Sequence, residues 1–180
     1  MLTPTVALMY KLAPATTLYA SYVESLEADN VVGDTYANAG QLLKPLRSKQ
    51  YEVGVKNQNS RWSATAALFR IERDAQYANS DNVFVEDGES IFQGIEAGAD
   101  VRLGNNWTGG GDLMWIATHY AKGSSNDGNR VADAPGFVAA AHVNYAVPVV
   151  PGLKLGTDAS SPATRTSIPP AASRCPDTWS

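Results

Sequence analysis

Between Ile95 and Leu103 the chain alternates without a break. Ile95, Ala97, Ala99, Val101 and Leu103 fall on one side, and Glu96, Gly98, Asp100 and Arg102 on the other. A period of two marks a β-strand with unlike faces. In a soluble sheet the apolar face meets a core; in a transmembrane barrel it meets lipid, and the polar face lines a wet lumen. The stretch Ser90 to Gly104 fits both, so the choice between them rests on the rest of the chain.

The same pattern recurs along the sequence. Thr5 to Leu12 sets Val6, Leu8, Tyr10 and Leu12 against Thr5, Ala7, Met9 and Lys11, and after Ala13-Pro14-Ala15 a second strand runs from Thr16 to Glu24. The short link predicts an antiparallel hairpin. Arg47 to Lys56 follows, with Tyr51, Val53 and Val55 opposite Gln50, Glu52, Gly54 and Lys56. Arg61 to Arg73 places Thr65, Ala67, Phe69 and Ile71 against Leu68, Arg70 and Glu72. Asp74 to Glu89 is polar and reads as strand extensions joined by a loop, with Asp87-Gly88 as a turn signal. Trp107 to Ala121, Phe137 to Val147 and the short Leu153 to Asp158 complete the set.

The connections alternate in length. Ala13–Ala15, Asn57–Ser60, Asn105–Asn106 and Pro148–Gly152 are short, whereas Ser25–Pro45, the region around Asp74–Glu89 and Lys122–Asp133 are long and polar. Up-and-down outer-membrane barrels have short turns at one rim and long loops at the other. A Greek-key sandwich has no reason to keep that alternation. Trp62 and Trp107 sit beside short turns, and Tyr10, Tyr22 and Tyr145 lie near strand ends. Those depths suit girdle aromatics, so the membrane barrel is preferred.

Composition narrows the picture further. The 180 residues carry a net charge of −4, which gives no basic patch for nucleic acid. Cys175 is the single cysteine, so no internal disulfide is possible. No apolar run approaches the roughly 20 residues of a membrane helix, a limit that leaves barrel strands untouched. Met1-Leu2-Thr3-Pro4 has no basic n-region and no signal peptide follows; the expectation is a cytosolic or an incomplete sequence.

Ser48-Lys49-Gln50-Tyr51-Glu52-Val53-Gly54-Val55-Lys56 resembles a barrel strand of TonB-dependent receptors, particularly those for ferric siderophores. Leu18-Tyr19-Ala20-Ser21-Tyr22, Ala67 to Arg73 and Gln93-Gly94-Ile95-Glu96-Ala97-Gly98 are similar to neighbouring family strands in order, and the resemblance covers about Ala7 to Asp158. It implies a barrel of about 22 strands with a plugged lumen, placed in the cell outer membrane, importing ferric siderophore with energy delivered through TonB. The sequence shows neither TonB box nor plug, and about a third of the strands. After Ala159 the alternation gives way to Ser, Pro, Thr, Arg and Ala. The expected organisation is therefore a partial barrel over residues 1–159 and a tail over 160–180, either frameshifted or truncated reading frame or ordinary disorder.

Catalytic chemistry finds little footing, and no enzyme, cofactor or metal is expected. His142 lies on the polar face of its strand and His119 near the long-loop end of another, neither with metal-ligand spacing. Gly109-Gly110-Gly111 opens a strand, not a helix, so close backbone packing or a bulge is expected over phosphate binding. Glu96, Asp100 and Arg102 read as lumen charges. For ligand contact, the resemblance implies aromatics and arginines on the outer loops and upper lumen. The candidates are Tyr36, Tyr77, Phe84, Tyr120 and Arg130. Aromatic faces and a guanidinium suit a large, partly apolar, often anionic chelate.

The sequence thus predicts an all-β, antiparallel up-and-down meander of about eight strands, part of an outer-membrane barrel of about 22 strands. Its partners would be ferric siderophore, TonB and outer-membrane lipid. Alone, the piece is expected not to transport, because an open sheet leaves unpaired edges in lipid. Two alternatives stand beside this: a complete small barrel, and a soluble β-sandwich binding module whose core Ala97, Ala99, Ala139 and Ala141 would fill poorly.

Overall fold

A computed structural model describes residues 3–28, 31–123, 127–131 and 134–161. They form one antiparallel sheet of eight strands in sequence order: β1 (Thr5–Ala13), β2 (Thr16–Leu26), β3 (Arg47–Gln58), β4 (Trp62–Ala78), β5 (Phe84–Leu103), β6 (Trp107–Ala121), β7 (Phe137–Ala146) and β8 (Lys154–Ser160). Every neighbour in sequence is a neighbour in the sheet. The turns fall where Pro14, Asn59 and Asn105 stop the alternation, and Gly104 takes a φ of +79°, which a side chain would disfavour.

The sheet is open. Among the described residues β1 pairs with β2 alone and β8 with β7 alone. A closed eight-strand barrel is thereby overturned, because closure would require β1 to pair with β8. A sandwich is overturned too, since among the described residues there is one sheet and no second one to cover it.

Register fixes which residues share a face. One row runs Leu8, Ala20, Val53, Leu68, Ile95, Trp115, Phe137; a second runs Leu18, Val55, Ala66, Ala97, Leu113, Ala139. This outer face is apolar and open, with Leu68 55% and Trp115 55% exposed. A contiguous apolar surface of this kind is rare on a soluble monomer and natural in lipid. Towards the short turns it ends in Trp62, Trp107 and Tyr145, the last two packed ring to ring at 4.6 Å. Towards the long loops it ends in Tyr22 and Tyr51, centroids 5.1 Å apart. On β6, Trp107 and Trp115 lie eight residues apart. At ~3.3 Å per residue and ~40° of tilt that is roughly 20 Å of depth, close to the ~25 Å apolar band of an outer-membrane barrel.

The opposite, lumen face carries Tyr19, Gln50, Glu52, Thr65, Glu96, Asp112 and His142 in register. The two faces of β4 are oriented by this pairing. The larger apolar set of β4, Ala67, Phe69 and Ile71, lies on this lumen face, and Trp62, Ala64, Ala66 and Leu68 form the outer one. Gly94 in the neighbouring strand leaves room for the Phe69 ring: a Cβ there would stand 3.0 Å from Phe69 Cζ and 2.0 Å from the Trp115 carbonyl oxygen.

Tightly buried apolar residues lie mostly at the long-loop rim. Val32, Leu43 and Leu46 of the β2–β3 loop and Ala75 and Ile91 of the β4–β5 hairpin are the best-buried apolar residues there, with Ala67 lower down. The region Asp74–Glu89 does extend the two strands, as expected, but its turn is at Asn79–Val83. Asp87-Gly88 is instead a bulge inside β5: Asp74 faces Glu89 and Gln76 faces Glu86, so two β5 residues oppose one on β4, with Gly88 at φ +78°. β8 reaches Ser160, and Ser161 N–H still donates to the Ala139 carbonyl at 2.8 Å. The rest of the expected tail, with Cys175, lies outside the described residues.

Candidate functional site

The five expected contact residues divide into three groups. Tyr77 and Tyr120 come together on the lumen face, centroids 5.9 Å apart and edge to face. They are there because Tyr77 continues the alternation Ile71, Arg73, Ala75, and Tyr120 pairs with Ser90, the partner of Arg73. The bulge then turns Asp87 towards this pair, and the Tyr77 hydroxyl donates to its Oδ2 at 3.0 Å.

Tyr36 and Phe84 form the second group, stacked at 4.8 Å. Phe84 pairs with Ala78 whereas Tyr77 pairs with Val85, so Phe84 and Tyr77 point to opposite faces of the hairpin. Asn38 holds this group. Its Nδ2 donates to the Phe84 carbonyl and its Oδ1 accepts from the Phe84 N–H, both at 2.9 Å, as a strand partner would. Ala37 N–H donates to the Asn82 carbonyl, and Asn82 Nδ2 to the Thr35 carbonyl. Neither Asn38 nor Asp87 stood out in the sequence as a site residue. Asp87 had a signal in its Asp-Gly pair, which marks a bulge as well as a turn.

Arg130 is apart from both. Its guanidinium lies against Gly136 and 3.5 Å from the Ala134 carbonyl. There it borders a cavity of about 470 Å³ with Trp115, Ile116, Thr118, Gly128 and Phe137, which neither Tyr77 nor Tyr120 lines.

Below the rim, the lumen wall is held by polar contacts. The Tyr19 ring fills the space that a side chain at Gly54 would take, and its hydroxyl donates to Glu52 Oε1 at 2.7 Å. Gln50 donates to the other Glu52 oxygen. Nearer the short turns, His142 Nε2 lies 3.1 Å from Asp100 Oδ1. Close packing at Gly110 and Gly111, expected from the glycine run, is present: a Cβ on Gly111 would stand 2.8 Å from the Ala140 carbonyl. Among the described residues no three His, Cys, Asp or Glu side chains gather closely enough to hold a metal ion. At the rim, Glu27 is anchored by Arg73, whose hydrogen bonds at 2.6 and 2.5 Å hold its carboxyl below the ordinary glutamate range.

Comparison with known proteins agrees with this architecture. A family model described as "TonB dependent receptor-like, beta-barrel" matches residues 1–171. The ferrichrome receptor FcuA of Yersinia enterocolitica is 30% identical over 159 residues, 84% of this chain and 21% of that protein. The ferrichrome outer membrane transporter/phage receptor of Escherichia coli (strain K12) is 30% identical over 148 residues, 78% of this chain and 19% of that protein. Among solved structures, the ferric preacinetobactin receptor BauA of Acinetobacter baumannii superposes with a TM-score of 0.62 at 27% identity, covering 79% of this chain and 22% of that one. The chain spans about a fifth of the length of the curated relatives it matches.

Proposed function

The chain belongs to the TonB-dependent receptor family, as a segment of the β-barrel, and on that premise we propose that it forms one arc of the wall of an outer-membrane receptor for ferric siderophores. Strands β1 to β8 are the wall. The arc presents its apolar face to outer-membrane lipid and its polar face to whatever fills the lumen. Its role is binding and passage, with no bond made or broken in the ligand. Energy would come from TonB acting on parts of the receptor beyond this arc.

The observation that carries the reading is the pair of unlike faces in one open meander. The outer face is apolar and bordered by aromatic rows. The inner one bears hydrogen-bonded carboxylates and, at the long-loop rim, the paired rings of Tyr77 and Tyr120. Ring faces set above a polar lumen suit a bulky, partly apolar chelate. The two ferrichrome relatives and the preacinetobactin receptor support a ferric ligand by their names.

The test is uptake of radioactive iron by cells expressing the receptor that carries this segment. Accumulation of a ferric siderophore that depends on both the receptor and TonB supports the reading. Accumulation indifferent to either one sinks it.

A further inference from the structure

The bulge in β5 has a chemical consequence. A Cβ on Gly88 would stand 2.6 Å from the Gly123 Cα and 2.8 Å from the Ala121 carbonyl, so β5 and the end of β6 touch backbone to backbone there. That approach is open to glycine alone, and it sets the preceding residue, Asp87, against Tyr77 on the lumen face. The result is a carboxylate beside two phenol rings, one of them edge to face with the other. Sequence reasoning paired these aromatics with a guanidinium and so with an anionic chelate. The structure places Arg130 in a different cavity and puts an acid in its stead.

The charge below points the same way. On the same face Glu52 accepts from Tyr19 and Gln50, and Glu96 and Asp112 have no ion-pair partner among the described residues. Arg73, on this face towards the rim, is held through two nitrogens by Glu27. The remaining lumen-face cations of the central strands, Lys56 and Arg102, sit at the short-turn end. An alkylammonium group is drawn to the face of a tyrosine ring and to a carboxylate at once, and carboxylates gathered on one face favour approach of a cation.

We propose that Tyr77, Asp87 and Tyr120 form a subsite for a positively charged amine, so that the receptor prefers ferric chelates carrying an alkylammonium group. This rests on the siderophore reading above and adds the charge of the ligand to it.

The experiment compares two ferric trihydroxamates with identical iron-binding groups, one with a free terminal primary amine and one with that amine acetylated. Binding to the purified full receptor carrying this segment is followed by quenching of its intrinsic fluorescence. The amine form is expected to bind roughly tenfold more tightly, the size of one partly desolvated cation–π and carboxylate contact. Asp87→Asn should bring the two affinities together by weakening the amine form, with the acetylated form still bound. Glu86→Gln, on the opposite face, should keep the preference. Equal affinities in the unmodified receptor, or loss of both ligands in Asp87→Asn, would overturn the subsite and leave the siderophore reading standing. Binding of neither chelate to the unmodified receptor would remove both.

Discussion

His142 reaches Asp100 across an intervening strand, Nε2 to Oδ1 at 3.1 Å, because the residue between them in the row is Gly110. A Cβ at Gly110 would stand 2.5 Å from that carboxylate oxygen, 2.7 Å from His142 Cε1 and 2.6 Å from the Ala99 carbonyl. The side chains could swing away, but the carbonyl could not without moving β5. Gly110→Ala should therefore destabilise the barrel by about 1–3 kcal/mol, the usual cost of overpacking. His142→Ala should cost less, because both partners are more than a third exposed and a contact so exposed contributes about 0–1 kcal/mol. Urea unfolding of the barrel in detergent orders the two variants; the reverse order contradicts this view of the row.

Ile95 and Glu96 are neighbours in sequence on opposite faces of β5. Ile95→Lys puts a charge in the apolar band and should cost about 2–4 kcal/mol of folding in lipid. Glu96→Lys faces the lumen and should leave folding nearly unchanged. Heat-modifiable gel mobility after refolding into vesicles separates them. Equal folded fractions would mean that the faces are wrongly assigned.

Asn38 closes the open edge of β5 above the point where β6 begins to pair. Asn38→Ala removes both bonds and leaves the Phe84 N–H and carbonyl to water. The expected result is local: faster amide exchange at Phe84 and faster proteolysis of the β2–β3 loop, with the unfolding midpoint of the barrel shifted little. Unchanged exchange at Phe84 would show that the loop is held by its apolar packing instead.

Acid should loosen the same loop. Arg73 holds the Glu27 carboxyl below its ordinary value, so the charged form is favoured in the folded loop. The stabilisation is then complete above the ordinary glutamate range and is lost as the pH falls through the lowered value. The effect should be small, because the Glu27 side chain is 47% exposed and water screens the pair. Loop proteolysis should rise between mildly acidic and strongly acidic pH in the native receptor, and Glu27→Gln should start high and vary less. A rise in protection on acidification would contradict the sign.

The strands were legible because their cause is local. Alternation such as Ile95 to Leu103, and breakers such as Pro14 and Asn105, are written in consecutive residues. The rim was legible only in part. Tyr77 and Tyr120 could be named as aromatics near a long loop, but their meeting depends on the register of β5 with both neighbours, fixed by pairing over its full length. Asp87-Gly88 carries one signal for two structures, a turn and a bulge, and the residues around it do not choose between them. β4 shows the same limit. Alternation puts Phe69 and Ile71 on one face without saying which way it points; that is set by Leu68 pairing with Ile95 and Val53, and Gly94 of β5 makes the room for Phe69.

The central claim is that this chain is a barrel wall with lipid outside and a wet lumen inside. It is tested most directly by single spin labels at Ile95, Ala97 and Leu113, and at Glu96, Asp112 and Met114, in the receptor reconstituted in bilayers. The first three should collide with oxygen dissolved in the lipid and be shielded from a water-soluble nickel chelate. The second three should show the opposite. A uniform response at all six positions, or a reversed alternation, would contradict the account.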